Sequence, residues 1–255
     1  MGVAGSGWTV SEWLALLTAP FVGSFLGVLI ERLPVGEPVG WARSRCRSCG
    51  VTLAARDLVP FVSFALTRGR CRLCGAPIGW FAPAIEAAAV GVALWAVAVV
   101  PAAWLWPTLG LGWALLTLAV IDARHLILPD VLTLPLISAG LLVIALALPD
   151  GLGASLIGAT VGFAAPMAVR GLYGRLRGRE GLGLGDVKLL AAAGAWLGWQ
   201  GLPWVVLIAA VAALVSVLGV AAIRRRLDSA APIPFGPFLC LAFWLVWLYG
   251  TPSLG

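Results

Sequence analysis

An all-α protein that crosses a membrane several times is what this sequence predicts, and three observations carry the prediction. Hydrophobic residues make up 61% of the 255 positions and charged residues only 11%, too apolar a balance for a water-soluble fold. The apolar residues fall into runs of roughly 17–25, the length that spans a hydrocarbon core. The 17 lysines and arginines cluster in a few segments between those runs or, for Lys188, at the edge of one. Read as membrane helices, the runs are 8–29, 81–100, 104–121, 131–148, 152–169, 202–223 and 235–249, with 187–199 a shorter, largely embedded one. That makes about eight helices.

The first run has no basic residue before it and is followed by Glu31-Arg32 rather than a small-residue cleavage site, so it reads as a retained helix. Eight crossings with both termini outside would put every cation on the cytoplasmic side: Arg32 to Arg72, Arg124, Arg170 to Arg179 with Lys188, and Arg224 to Arg226. The outer turns then carry Glu12 and Asp150 and no cation. The net charge of +6 is therefore an orientation signal toward membrane lipid, and no nucleic acid partner is expected.

Along the chain, Gly23-Ser24-Phe25-Leu26-Gly27 supplies small residues for helix packing, and Pro34 stops the first helix. The polar segment 34–80 follows. It holds two Cys-x-x-Cys knuckles, Cys46/Cys49 and Cys71/Cys74, with Gly50 and Gly75 where each must turn back. Four such thiolates can close a tetrahedral zinc site with no open position; two disulfides are the other use, disfavoured by a reducing compartment. Cys240 lies alone in the last run and reads as a buried apolar thiol.

Glu86 lies a few residues inside the second run, either as a functional acid or as a partner for water or an arginine of the knuckle segment. The third run ends in Asp122, at a helix C-terminus where the dipole disfavours an anion. His125 reads as interfacial, Pro129 as a helix break, and Asp130 as a first-turn residue of the next helix. After a glycine-rich loop over 171–185, Gly183-Leu184-Gly185-Asp186 places a second acid at a helix N-terminus, where ionisation is favoured. Lys188 faces another side of that helix and reaches toward lipid headgroups. The rigid stretch Pro232 to Phe238 packs at the mouth of the site. Asp122 and Asp186 are expected to meet.

Together these residues resemble the bacterial type IV prepilin peptidases, over nearly the whole chain. The likeness rests on Gly23-Ser24-Phe25-Leu26 with Arg32-Leu33-Pro34, the paired knuckles, Ile121-Asp122 with Leu128-Pro129-Asp130, Gly183 to Leu190, and Pro234-Phe235-Gly236-Pro237. Gly27 stands where that family often has Asn, and Arg47 where Pro is common. The resemblance implies a GxGD-type membrane aspartic protease with Asp122 and Asp186 as its catalytic pair. It implies type IV prepilins or pseudopilins as substrates, cut after a glycine on the cytoplasmic side of the bacterial inner membrane. Members with the long knuckle segment generally also N-methylate the new N-terminus with S-adenosylmethionine. The chain then divides into a first helix (1–33), a zinc segment (34–80) and a protease domain (81–255).

Helix-dipole reasoning makes Asp186 the expected base. The residues alone leave other classes open. In a proton-coupled transporter Asp122, Asp186 and Glu86 would relay protons beneath a zinc-bound cap, although the acids gather at one face. A membrane scaffold whose zinc segment binds a partner is the third class.

Overall fold

The computed structural model describes residues 8–40, 43–178, 182–224 and 234–251. Arg179, Arg225, Arg226, Pro232 and Ile233, and position 181 of the expected glycine-rich loop, lie outside the described residues.

The helices are α1 (Val10–Arg32), α2 (Val62–Leu66), α3 (Phe81–Val99), α4 (Leu105–His125), α5 (Asp130–Ala147), α6 (Leu152–Arg177), α7 (Leu184–Leu197), α8 (Leu202–Arg224) and α9 (Gly236–Tyr249). Six of them, α1, α3, α4, α5, α6 and α8, are long and apolar enough to cross a membrane. The other two of the eight expected runs, α7 and α9, have 14 residues each. At 1.5 Å per residue that is about 21 Å, less than a hydrocarbon core of about 30 Å.

The described residues up to Thr117 form one compact unit and those from Leu118 a second. In the first, Thr9 and Glu12 cap α1 reciprocally: the Thr9 N–H donates to Glu12 Oε2 at 2.6 Å and the Glu12 N–H to Thr9 Oγ1 at 3.3 Å. The helix ends at Arg32, and Pro34 lies in the 3-10 turn beyond it. α1 packs on α3 where Gly23 has no room for a side chain, since a β-carbon there would lie 2.6 Å from Glu86 Cα. Trp113 Nε1 of α4 donates to the Ala89 carbonyl of α3 at 3.1 Å.

The second unit is built around α7. Nearly every residue from Val187 to Trp196 is buried, Lys188 being the half-buried exception, and α5, α6, α8 and α9 all pack against this helix. Enclosure on all sides replaces the length that a lipid-facing helix needs. Close approach to α6 comes from glycines: a β-carbon on Gly194 would lie 2.1 Å from the Gly158 carbonyl oxygen, and one on Gly162 2.5 Å from that of Leu190. On the α5 side Trp196 lies over Gly140 and its Nε1 donates to the Leu136 carbonyl at 2.8 Å. α8, with mean hydropathy 2.8, buries only 6% of its span and presents the rest outward.

The expected glycine-rich loop over 171–185 is shorter than predicted. α6 continues to Arg177 and stops at Gly178, whose φ of +64° is the left-handed cap that glycine supplies without cost.

Candidate active site and metal centre

Asp122 lies one turn from the C-terminus of α4, where its own helix offers it no free N–H. The fold supplies one from elsewhere. α9 begins at Gly236, and that residue's N–H donates to Asp122 Oδ2 at 2.9 Å. A buried carboxylate at the end of one helix thus sits at the start of another, where unpaired N–H groups and the dipole favour it. Gly236 permits the contact because a β-carbon there would lie 2.6 Å from the same oxygen.

Asp186 is the third residue of α7 and half buried. Its carboxylate reaches back to the N–H of Gly183, the residue that caps the helix. Gly185 makes room for the neighbouring loop: a β-carbon there would lie 2.7 Å from Leu128 Cβ. That loop leaves α4 through Leu126, held at φ 56°, and returns into α5 at Asp130.

The two aspartates, which the sequence places 64 positions apart, line one cavity of about 390 Å³. Two more charged residues line the cavity that sequence reasoning gave other work. Lys188 does not run to headgroups; its Nζ lies 2.5 Å from Asp130 Oδ1. Asp130 is therefore an ion-pair partner as well as a first-turn residue. The signal for this pair lay in the spacing, since each charge follows an aspartate of interest by a few residues, but no local rule joins positions so far apart.

In the first unit the two knuckles repeat one geometry. The Cys46 N–H donates to Val51 O at 2.8 Å and the Cys71 N–H to Ala76 O at 2.8 Å. Gly50 and Gly75 turn back at φ +70° and +71°, as expected. The four thiols are free, and all four sulfurs lie within 4.8 Å of one another. The Cys46 and Cys74 sulfurs are 3.8 Å apart. Tetrahedral zinc with Zn–S near 2.3 Å requires S···S distances of about 3.8 Å, which this pair meets, so the cluster is one that could hold a metal.

The thiols are also electrostatically unequal. Backbone N–H groups of Cys49 and Ser48 bring Cys46 down to about 6. Cys74 is pushed up to about 11: the Ala76 N–H favours its thiolate, but desolvation and the neighbouring sulfurs outweigh that bond. Arg47, in the first knuckle, pairs with Glu31 near the end of α1.

Glu86 has partners in the turn between the knuckles and in α1. Its Oε2 accepts the Phe61 N–H at 2.9 Å, and Ser24 hydrogen-bonds the same carboxyl. The acid ties the apolar turn between the knuckles to the α1/α3 pair, and Phe61 is held at φ 54° there.

Comparison with known proteins follows the same division. A family model described as the type IV leader peptidase family matches residues 109–218, and one described as the bacterial peptidase A24 N-terminal domain matches residues 17–100. A prepilin leader peptidase/N-methyltransferase of Burkholderia pseudomallei (strain 1026b) is 41% identical, covering 93% of this chain and 85% of the relative. Proteins of the same description from Aeromonas hydrophila and Pseudomonas aeruginosa are 37% and 36% identical, covering 93% and 92% of this chain and 90% and 89% of theirs. No solved structure matches.

Proposed function

Because this chain belongs to the type IV leader peptidase family, we propose that it removes the leader from type IV prepilins or pseudopilins, with Asp122 and Asp186 as the catalytic pair, and then N-methylates the new N-terminus. The observation that carries the reading is the convergence of these two carboxylates in one cavity.

Two carboxylates this close do not both ionise readily, so one holds a proton. The ionised member takes a proton from water as the water oxygen attacks the scissile carbonyl. The protonated member hydrogen-bonds the oxyanion, and a carboxyl proton then passes to the departing amine. No acyl-enzyme forms. The Gly236 N–H fixes one oxygen of Asp122 and leaves the other for this chemistry. Its place at a helix N-terminus alone would make Asp186 the base. With α9 supplying a second N-terminus at Asp122, the field acts on both acids and no longer separates them.

Cys46, Cys49, Cys71 and Cys74 would hold zinc as a closed, structural site, supported by the sulfur spacing. The methyl donor is S-adenosylmethionine, suggested by the relatives' second activity. The site faces the cytoplasm of a bacterial inner-membrane protein, a placement supported by the cation distribution.

The test is to mix detergent-solubilised protein with a prepilin and follow loss of leader mass. D122A and D186A should each lower cleavage by at least about 1000-fold while remaining folded. Cleavage that survives either change removes the pair from the chemistry. Metal analysis should give one zinc per chain, absent from the C46S/C49S variant; full retention there would refute the four-thiolate site.

A further inference from the structure

The loop between α4 and α5 touches α7 on both sides of Asp186. On one side Leu128 rests against Gly185, where no β-carbon fits. On the other, Asp130 pairs with Lys188 at 2.5 Å. The same short loop begins just after Asp122, so one stretch of chain joins the two acids.

Lys188 is in an expensive place. It lies early in α7, where the dipole disfavours a cation, and its neighbours Val187 and Leu189 are fully buried. Its side chain is only 16% exposed, so the ammonium needs a partner there. Among the described residues lining the cavity, Lys188 is the single cation, and Asp122, Asp130 and Asp186 are its acids. Of these it bonds Asp130, which opens α5 where an anion is favoured.

We infer that Lys188 and Asp130 are positioning residues: their ion pair, with the Leu128–Gly185 contact, sets the height of Asp186 against Asp122 for the reaction. This rests on the proteolytic reading above. Neither residue reacts. Losing the pair lets the first turn of α7 shift relative to the loop, and misplacement of a reacting group by about 1 Å costs about 100-fold in rate.

The experiment uses the full chain in detergent with a prepilin substrate. K188M and D130N should each lower kcat by about 30-fold or more with KM within about twofold, because alignment in the transition state is lost and binding is kept. The K188M/D130N double variant should be no worse than the poorer single, as expected for partners in one interaction. K188R should stay within about threefold of the parent chain. Amide exchange at residues 184–188 should rise in K188M and D130N and remain at the parent level in K188R, a readout independent of cleavage. Unchanged kcat in D130N, effects that multiply in the double variant, or a rise in KM alone would overturn the inference; the last would put Asp130 on the substrate. Should K188M fail to fold, D130N and K188R still decide. Failure of the parent chain to cut any prepilin would count against the proteolytic reading, while the exchange measurement would still judge the clamp.

Discussion

Gly236 has no room for a β-carbon, because the carboxylate of Asp122 occupies that space at 2.6 Å. G236A must therefore move Asp122 or the start of α9. The expected outcome is a loss of cleavage of at least about tenfold, with leader removal as the measurement and a melting temperature near that of the parent chain. Activity within about twofold would show that the Gly236 contact is not what positions the acid. From sequence, Asp122 was legible as an acid without a local reason, since the C-terminus of its helix offers no free N–H. Its partner was not, because that partner comes from another helix 114 positions away. Glu86 is a similar case: its place inside an apolar run was plain, whereas its bond to the Phe61 N–H depends on a left-handed turn that nothing in Pro60-Phe61 announces.

Among the elements, α7 shows how a short helix holds a site inside a membrane protein. It is enclosed by neighbours, and the glycines of α6 bring the two backbones together at Gly158 and Gly194. G194A puts a β-carbon 2.1 Å from a carbonyl oxygen, which backbone atoms cannot yield cheaply. We expect it to destabilise the protein by about 1–3 kcal/mol, the usual cost of overpacking, read as a lowered melting temperature in detergent. G153A, which meets open space, is the control and should melt as the parent does. Hydropathy located all eight runs because burial in lipid and burial in protein both select apolar residues. The same fact hid which of the runs are enclosed by protein: α7 and α8 read alike in composition, yet one is enclosed and the other faces outward. The C-terminal end of α6 differs from the expected 169 for a related reason, whereas its start at Leu152 does not. Arginines and glycines look like a loop, but a helix that has left the hydrocarbon can continue with cations in its last turn.

Across the whole molecule the charges make a single statement about the membrane. Arg32 lies in the last turn of α1, Arg124 in that of α4, and Arg175 and Arg177 in that of α6. Glu12 opens α1 and Asp150 lies in the turn before α6, so acids mark the opposite ends. If successive helices cross in turn, every cation falls on one side, and lysines and arginines are retained on the cytoplasmic side. The proposed orientation can then be read by fusing a reporter at helix ends. Alkaline phosphatase, active only outside, should be active when fused after Pro101, Asp150 or Gly201 and inactive after Gly178, with a fluorescent protein giving the reverse pattern. Gly178 follows the arginine-bearing end of α6, and the next described helix carries Asp186 in its first turn. Phosphatase activity there equal to that after Asp150 would place the aspartate cavity on the far side of the membrane. It would then be out of reach of a leader presented from the cytoplasm, and the proteolytic reading would fail on topology even with both carboxylates in place.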